Sequence, residues 1–319
     1  MGADEAAAVD AAGGPAPRPS WATLAPRADS PADPSSTVLD VLVERFPHVG
    51  PETWRQRFAR GLVLDEQRRP LAVSAPAAEH RRVAYFREVA GEAEWPAPVA
   101  ILHADERLVV ADKPPFQPVV PSGPFVRRCL LYLVERQLGV EGLHPVHRLD
   151  RATSGLVLLA RDRATAAAYG GLFAAGEVER EYAALATVRS PPAEVAWDVA
   201  SRLVAGEPFF RMREVPGTPN ARTRIELVVQ GGGLGRFRLR PSTGKKHQLR
   251  IHLASLGLSI LGDRFYPRLL PEAPDDVAHP LRLVAVGLAF DDPFDGRRRS
   301  FASSFRPETL APLPSPADG

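Results

Sequence analysis

The larger, C-terminal part of this chain consists of short apolar runs, and their length and spacing most constrain its fold. The runs are apolar or alternating and are bounded by turn residues, as is typical of strands. They comprise Leu108–Ala111, Leu156–Ala160, Tyr182–Ala186, Arg224–Val229 and Leu281–Phe290. Helical spacing predicts helices only over 125–138, 162–174 and 245–256. Strands outnumber helices without strict alternation, so we predict an α+β fold with a mixed, largely antiparallel sheet.

Composition divides the chain into four parts. Residues 1–36 are rich in Ala, Pro, Ser and Asp, which predicts a disordered tail. In residues 37–96 apolar side chains recur with helical spacing, and Pro51 opens a second helical stretch; we predict a small helical module followed by short strands. The strand-rich residues 97–305 predict the main domain, and 306–319 a flexible C-terminal tail.

Arginine carries nearly all of the positive charge. The chain has 40 basic and 38 acidic residues, a net charge of +2, and its only lysines are Lys113, Lys245 and Lys246. Residues 1–36 hold five acidic residues and two arginines, a net −3, so the remainder carries +5. The planar guanidinium suits phosphate, although a compositional bias of the genome explains the same excess.

Two features bear on location. Cys129 is the only cysteine, so the chain has no intramolecular disulfide, and its apolar surroundings predict a buried thiol. The acidic N-terminus does not resemble a secretory signal, and no apolar run reaches about 18 residues. We therefore expect a cytoplasmic protein that does not insert into membranes.

The strongest local signal is the segment His147–Gly155, which directly precedes an apolar run. If it is extended, Arg148 and Asp150 lie on one side and His147 and Leu149 on the other. An ion pair that braces a turn explains this pattern. So does a functional carboxylate: Arg148 and Arg151 would keep Asp150 ionised at neutral pH, the form that a nucleophile or general base needs.

A second signal is the basic segment from Ser242 to Leu253. Ser242 or Thr243 is a plausible N-cap, and Leu249, Leu253 and Leu256 form an apolar stripe. His247 and Arg250 then point away from that stripe together. Lys245 and Lys246 would lie at the positive end of the helix, where phosphate binds, or on a solvated basic face. Metal binding by His247 and His252 is disfavoured, since residues five apart on a helix do not share a face.

Other patterns carry less information. Tyr182 follows Arg180-Glu181 at the start of a predicted strand, where a lone tyrosine more often packs in a core. Thr153-Ser154-Gly155 lacks the Gly-X-Ser-X-Gly elbow of serine hydrolases. The sequence also has no P-loop and no Gly-X-Gly-X-X-Gly after a strand, which argues against nucleotide-cofactor chemistry.

Three motifs together resemble the RluA-type RNA pseudouridine synthases. The catalytic loop of that family resembles His147-Arg148-Leu149-Asp150-Arg151-X-Thr153-Ser154-Gly155-Leu156. Its second signature resembles Thr243-Gly244-X-X-His247-Gln248-Leu249-Arg250-Ile251-His252-Leu253, continuing to Gly257 and Leu261-Gly262-Asp263-X-X-Tyr266. The beginning of the catalytic domain in that family resembles Asp105-Glu106-X-Leu108-Val109-Val110-X-Asp112-Lys113-Pro114. The resemblance covers 97–305, and residues 37–96 are similar to a small RNA-binding module of ribosomal-protein type.

The resemblance implies an isomerase that converts uridine in rRNA or tRNA to pseudouridine without a cofactor or metal. It implies that Asp150 is the essential carboxylate, that Tyr182 packs against the target base and that Arg250 pairs with Asp150. Arg148 would fill the space left by the flipped nucleotide. The other predicted RNA contacts are Arg151, Lys245, Lys246 and His247, with Arg55, Arg57 and Arg60 in the small module. We expect a monomer.

Two positions depart from the family pattern, and two other functions remain open. Arg180 stands where the family usually has lysine, so the charge is kept on a different donor. Pro115 replaces the glycine common after Lys-Pro, which restricts that turn. A catalytically silent RNA-binding or ribosome-assembly factor is the main alternative. A glycoside hydrolase is disfavoured, because the neighbours of Asp150 are basic and no second carboxyl group with a raised pKa is evident.

Overall fold

The computed structural model describes residues 14–24, 35–89, 91–92, 98–188 and 193–309. The chain divides into two compact units, residues 1–93 with 123–127, and residues 94–122 with 128–319. In the part of the chain that is described, no helix has the length and apolar character needed to cross a membrane.

The described residues of the first unit form a three-stranded antiparallel sheet with two α-helices. Its strands are β1 (Ser20–Thr23), β2 (Val63–Leu64) and β3 (Arg82–Tyr85), in the order β1-β3-β2, and its helices are α1 (Val38–Arg45) and α2 (Pro51–Ala59). Thr37 and Asp40 form a capping box at the start of α1, and Pro51 begins α2. Trp54 is fully buried at the centre of the core.

Strand β1 differs from the sequence prediction, because it lies within the stretch expected to be a disordered tail. It pairs with β3 through Ser20↔Tyr85 and Ala22↔Val83. Ala22 is buried, and the Trp21 ring lies 4.5 Å from the guanidinium of Arg82. Although the composition is typical of disorder, this short strand forms because it pairs with β3 and buries one side chain. Residues 1–13 and 25–34 of the predicted tail lie outside the described residues.

The second unit contains one large mixed sheet. Its strands are β4 (Ala100–Ala104), β5 (Leu108–Lys113), β6 (His144–Pro145), β7 (Ser154–Ala160), β8 (Glu179–Thr187), β9 (Ala196–Ala205), β10 (Met212–Val215), β11 (Ala221–Gly231), β12 (Leu234–Pro241), β13 (Ser259–Ile260), β14 (Leu283–Asp291) and β15 (Arg298–Ala302). The main path runs β10-β9-β11-β12-β8-β14-β7-β5-β4. Of its pairings between described residues, β7 with β14 is parallel and the others are antiparallel. The predicted α+β fold is confirmed.

The helices of this unit are α3 (Leu130–Leu138), α4 (Arg163–Ala175) and α5 (Gln248–Ser255). Helix α3 packs with β5 and β7 around the fully buried Leu130 and Val157. Helix α5 packs through Leu249 and Leu253 into a second core formed with β8, β11 and β12. These two cores fix the strand ends and the helix that border the cleft described next.

Candidate active site

The loop 146–153 connects β6 to β7 and presents Asp150. Leu149 packs against the core of α3, while Arg148 is exposed. His147 is held at the start of the loop, where its Nε2 accepts a hydrogen bond of 3.1 Å from the backbone N–H of Leu158. The backbone N–H of Thr153 donates to the carbonyl of Asp150 at 3.0 Å. Core packing on one side of the loop therefore leaves the Asp150 carboxylate on the other.

The Asp150 carboxylate lies in a cleft of about 910 Å³. Its side chain is 25% exposed, so a substrate can reach it. Tyr182 and Arg250, the two residues expected to accompany it, line the same cleft. The side chains come from a loop, a strand and a helix that are far apart in sequence, and the fold brings them together.

Arg250 is the cation beside Asp150. Its Nη1 lies 3.6 Å from Asp150 Oδ2, and its side chain is 4% exposed. Its Nε and Nη2 donate to both oxygens of Asp263, at 2.8 and 2.6 Å. Burial lowers the pKa of Arg250, but the hydrogen bonds and charge of Asp263 and the charge of Asp150 outweigh burial and raise it. Arg250 is therefore a fixed cation held by a bidentate partner.

His247 contributes a second nitrogen beside the carboxylate. Its Nε2 lies 3.9 Å from Asp150 Oδ2, and its Nδ1 shares a hydrogen bond of 2.9 Å with the Tyr266 hydroxyl. Burial lowers the pKa of His247 to about 4, against the opposing effect of Asp150. The ring is thus neutral near pH 7, and it lies against Asp150 and Tyr266. His247 is largely buried, but it lines the cleft, and its predicted contact with RNA remains a prediction.

Lys113 lies at the end of β5 and is completely buried. Its ammonium donates to the carbonyls of Pro114 and Arg151, at 2.9 and 3.0 Å. Burial lowers the pKa of Lys113 to about 7, while the nearby Asp150 opposes that shift. The lysine thus ties the residue after Asp150 to the turn that follows β5.

Tyr182 places its phenol in the same cleft from β8. Burial raises the pKa of Tyr182, Arg180 lowers it, and Asp150 raises it further. The phenol is therefore neutral at physiological pH. A neutral aromatic ring beside a carboxylate provides a flat surface for a planar base.

Of the two arginines that flank Asp150 in sequence, Arg151 pairs with a second carboxylate. The Arg151 guanidinium makes a bidentate ion pair with Asp275, at 2.5 and 2.7 Å, and donates to the Phe116 carbonyl. Arg250, which the family resemblance predicted as the partner of Asp150, lies 3.6 Å from that carboxylate. Arg180 lines the cleft, and its Nη2 donates a hydrogen bond of 3.2 Å to the Pro241 carbonyl.

The basic segment before α5 also differs from the sequence prediction. The helix begins at Gln248, with His247 as a left-handed N-cap at φ 57°, instead of extending back to 245. The side-chain oxygen of Gln248 accepts from the backbone N–H of Lys245 and from the Thr243 hydroxyl, at 3.0 and 2.8 Å. These contacts fold the segment into a loop, on which Lys245 and Lys246 are exposed at the cleft.

The turn after β5 has one residue with a positive φ, a conformation that Pro115 cannot adopt. Phe116 adopts φ 63°, a conformation that favours glycine. The conformational demand therefore falls at position 116, one residue after the proline. The Phe116 ring is largely buried and lines the cleft.

In the small unit, the three arginines of α2 and its C-cap do not share one exposed surface. Arg55 pairs with Glu52 at 3.5 Å and Arg60 pairs with Glu88 at 2.6 Å, both on the surface. Arg57 is 6% exposed and lies 4.7 Å from the centre of the Trp54 ring, and burial lowers its pKa. The expectation that Arg57 offers its charge to RNA is wrong, since its side chain belongs to the core.

Asp263 and Tyr266 were not identified as site residues from the sequence, although both lie in the second signature. Asp263 holds Arg250, and its Oδ1 also accepts from the backbone N–H groups of Phe265 and Tyr266, at 2.8 and 3.0 Å. Tyr266 holds His247. The spacing Asp263-X-X-Tyr266 was the available signal, but only the fold shows which side chains they contact.

This geometry can perform a particular chemistry. An accessible carboxylate with a fixed guanidinium and a neutral imidazole beside it can attack an electrophilic carbon or remove a proton. A neutral aromatic ring across the cleft can hold a flat base during that step. The exposed lysines at the cleft can contact phosphates.

Comparison with known proteins gives consistent matches. Residues 107–255 match the family described as RNA pseudouridylate synthase. The dual-specificity RNA pseudouridine synthase RluA of Escherichia coli is 33% identical over 207 residues, which cover 64% of this chain and 91% of that protein. An RNA pseudouridine synthase of Synechocystis, described as uncharacterized, is 27% identical over 242 residues, covering 72% and 79%.

Solved structures show the same fold. The structure of human RNA pseudouridylate synthase domain containing 4 is similar with a TM-score of 0.51 and 26% identity, covering 65% of this chain and 88% of that one. The human domain-containing 1 protein gives a TM-score of 0.53 at 21% identity, covering 67% and 86%.

Proposed function

This chain belongs to the RNA pseudouridylate synthase family, and on that premise we propose that Asp150 is the carboxylate through which it isomerises uridine in ribosomal or transfer RNA. The observation that carries this role is the position of the carboxylate. It is accessible in the cleft and lies 3.6 Å from a buried guanidinium.

The reaction moves the bond between uracil and ribose from a ring nitrogen to a ring carbon. The glycosidic bond must break, the base must turn and the new attachment carbon must lose its proton. These steps need the nucleotide outside the RNA helix, and flipping costs a few kcal/mol, less when the target lies in a loop. An open cleft with an aromatic side chain suits an extruded nucleotide.

Asp150 can act in either of two ways on the extruded nucleotide. It can attack the sugar carbon that bears uracil, or it can remove the proton from the neighbouring sugar carbon. In both routes Arg250 holds the carboxylate in position, and Tyr182 holds the detached uracil while it turns. Arg148 is exposed at the cleft, which supports the proposal that its side chain fills the space that the nucleotide leaves.

We expect Asp150→Asn to abolish pseudouridine formation and to leave RNA affinity within severalfold of the wild type, because the change removes the reactive charge but little volume. Tritium release from RNA labelled at carbon 5 of uracil measures the turnover. Asp276→Asn, at an exposed carboxylate that pairs with His279, is the control. Substantial turnover by the purified Asp150→Asn protein would exclude the proposed role.

The RNA target is found by a separate experiment. Pseudouridines mapped in total RNA from a deletion strain and its parent identify the modified uridine, and complementation with Asp150→Asn tests the silent RNA-binding alternative. Full restoration of growth by that variant, with no pseudouridine that is lost on deletion, would favour the alternative. The monomeric state, the cytoplasmic location and the RNA-binding role of residues 37–96 remain predictions.

A further inference from the structure

The turn between β9 and β10 carries an aromatic side chain that the proposed reaction does not use. Phe209 is 88% exposed, the largest exposed fraction among the large apolar side chains of the described residues. The turn is ordered by its own backbone. The N–H of Gly206 donates to the carbonyl of Arg211 at 3.0 Å, and the N–H of Arg211 donates to the carbonyl of Pro208 at 2.8 Å. The exposed ring therefore stands on a fixed support.

A row of aromatic rings connects Phe209 to the cleft. Phe209 meets Phe210 edge to face with 5.6 Å between ring centres, and Phe210 lies 5.2 Å from Phe265. Phe265 in turn lies 4.9 Å from the Arg250 guanidinium. Phe210 and Phe265 both line the cleft that holds Asp150. Phe209 is thus the solvent-facing end of a row whose other end contacts the cation beside the carboxylate.

The charge of the cleft at the inner end of this row favours RNA as the occupant. A single exposed apolar residue is ordinary and needs no ligand. Here, however, the exposed Arg148, Lys245 and Lys246 line the same cleft, and Arg213 is exposed on β10. Aromatic rings combined with cations are the arrangement by which proteins hold unpaired nucleotides, with stacking on the base and charge on the phosphate.

We propose that Phe209 stacks on an unpaired base of the substrate RNA that neighbours the target uridine, and so helps to position the strand at the mouth of the cleft. The proposal rests on the proposed function, since it identifies how the same site holds its RNA. The contact uses the face of a base without reading its hydrogen-bonding edge. It therefore selects for unpaired nucleotides more than for a particular sequence.

The test compares two RNA probes with the full-length protein. One is a fluorescein-labelled hairpin with a uridine loop, and the other is the same hairpin with abasic loop nucleotides. Phe209→Ala is expected to weaken binding of the first probe about tenfold and to leave binding of the abasic probe unchanged. Phe209→Trp is expected to restore affinity, and its added fluorescence is expected to be quenched by the uridine loop only.

Phe294→Ala is the matched control. Phe294 is another partly exposed phenylalanine of the same unit, at 46%, and it is not part of the cleft lining. It is expected to leave binding of both probes unchanged. Thermal unfolding of each variant establishes that the fold is intact, and the exposure of Phe209 predicts an unchanged Tm.

Four results would overturn the proposal. In the first, Phe209→Ala binds the uridine-loop probe within twofold of the wild-type affinity; in the second, it loses equal affinity for both probes. In the third, the uridine loop does not alter the fluorescence of Phe209→Trp; in the fourth, the wild type shows no measurable binding of the hairpin. The first three would show that this ring does not contact a base, and the fourth would show that the mouth of the cleft does not hold an unpaired strand. Because the readout is binding, it separates this contact from the proposed reaction, whose failure would appear as missing pseudouridine with the stacking intact.

Discussion

At the scale of single residues, the position of Arg250 depends on Asp263 more than on Asp150. The bidentate contacts to Asp263 are 2.8 and 2.6 Å, whereas the nearest distance to Asp150 is 3.6 Å. Phe265 and Tyr266 lie 4.9 and 5.4 Å from the guanidinium and confine it further. Asp150 therefore meets a cation whose place is already fixed, which is the preorganisation that catalysis requires.

Asp263→Asn is expected to lower kcat by about 100-fold while KM for RNA changes little. The amide cannot accept both guanidinium hydrogen bonds, so Arg250 loses its aim at Asp150. Steady-state tritium release over a range of RNA concentrations measures both constants. A change confined to KM would contradict this assignment.

A second variant tests whether the lower kcat of Asp263→Asn results only from lost stability of the fold. Asp263→Glu keeps the charge that compensates Arg250 and is expected to recover part of kcat. Because removing one partner of a buried ion pair costs about 3–5 kcal/mol, the assays are run well below the Tm of each variant. Equal kcat values for the two variants at equal stability would show that Asp263 does not act through Arg250.

At the scale of secondary-structure elements, Gly155 permits the parallel contact between β7 and β14. It pairs with Ala285 and has φ +110°, and a Cβ placed there would lie 2.3 Å from the Ala285 carbonyl oxygen. Neither the backbone angle nor the space admits another residue. The parallel contact of β14 with the strand that follows the Asp150 loop therefore depends on this glycine.

Gly155→Ala is expected to destabilise the protein by more than about 2 kcal/mol and to reduce activity through displacement of the loop. Gly170→Ala is the control, because Gly170 lies within α4 and a Cβ there meets nothing within 4 Å. That variant is expected to gain about 0.5–1 kcal/mol. Urea unfolding at equilibrium measures both, and a Gly155→Ala protein as stable as the wild type would refute the steric argument.

The same elements show how far sequence patterns reach. The stripe Leu249, Leu253 and Leu256 predicted α5 and its buried side, because burial follows helical periodicity. The start of α5 was misplaced, because the side chain of Gln248 takes up the Lys245 N–H and His247 adopts a left-handed backbone. Those are tertiary and local conformational effects that no periodicity encodes.

For the site, the sequence predicted which residues share a cleft better than it predicted their partners. The family resemblance identified Asp150, Tyr182 and Arg250, and all three line one cleft. The motif spacing suggested Arg151 as a neighbour of Asp150, yet Arg151 pairs with Asp275, from a segment distant in the chain. The burial of Arg57 against Trp54 likewise depends on how α2 packs in its unit. Partners of this kind depend on tertiary packing.

At the scale of the whole molecule, buried neutral histidines link stability to pH. His252 lies between Ser201 and Thr223, with ring nitrogens 3.1 and 2.9 Å from their hydroxyl oxygens, so it joins α5 to β9 and β11. Burial lowers its pKa from 6.5 to about 4. Between those values the unfolded chain binds a proton that the folded protein does not, so the free energy of unfolding falls as pH falls from 6.5 to 4.

His252→Gln is expected to reduce the slope of the unfolding free energy against pH in that interval by up to about 1.4 kcal/mol per pH unit. Glutamine cannot be protonated but keeps a donor and an acceptor for the two hydroxyls. Denaturant titrations at several pH values measure the slope, and His279→Gln, at an exposed histidine, serves as the control. An unchanged slope for His252→Gln would mean that this histidine is not the source of the dependence.

The attraction of RNA to the molecule as a whole is a matter of local charge, because the net charge of +2 is small. Lys245 and Lys246 are exposed on the loop at the cleft, where each can release a counterion from a phosphate. The double variant Lys245→Gln/Lys246→Gln is therefore expected to weaken RNA binding and to flatten the plot of log K against log salt by about 0.7–0.9 for each phosphate that is no longer neutralised. At saturating RNA its kcat is expected to match the wild type, since neither lysine contacts Asp150.

Arg297→Gln is the control, because it removes one exposed charge outside the cleft. It is expected to leave the salt dependence of binding unchanged. Equal effects of the two changes on that slope would mean that RNA responds to the total charge and not to this loop.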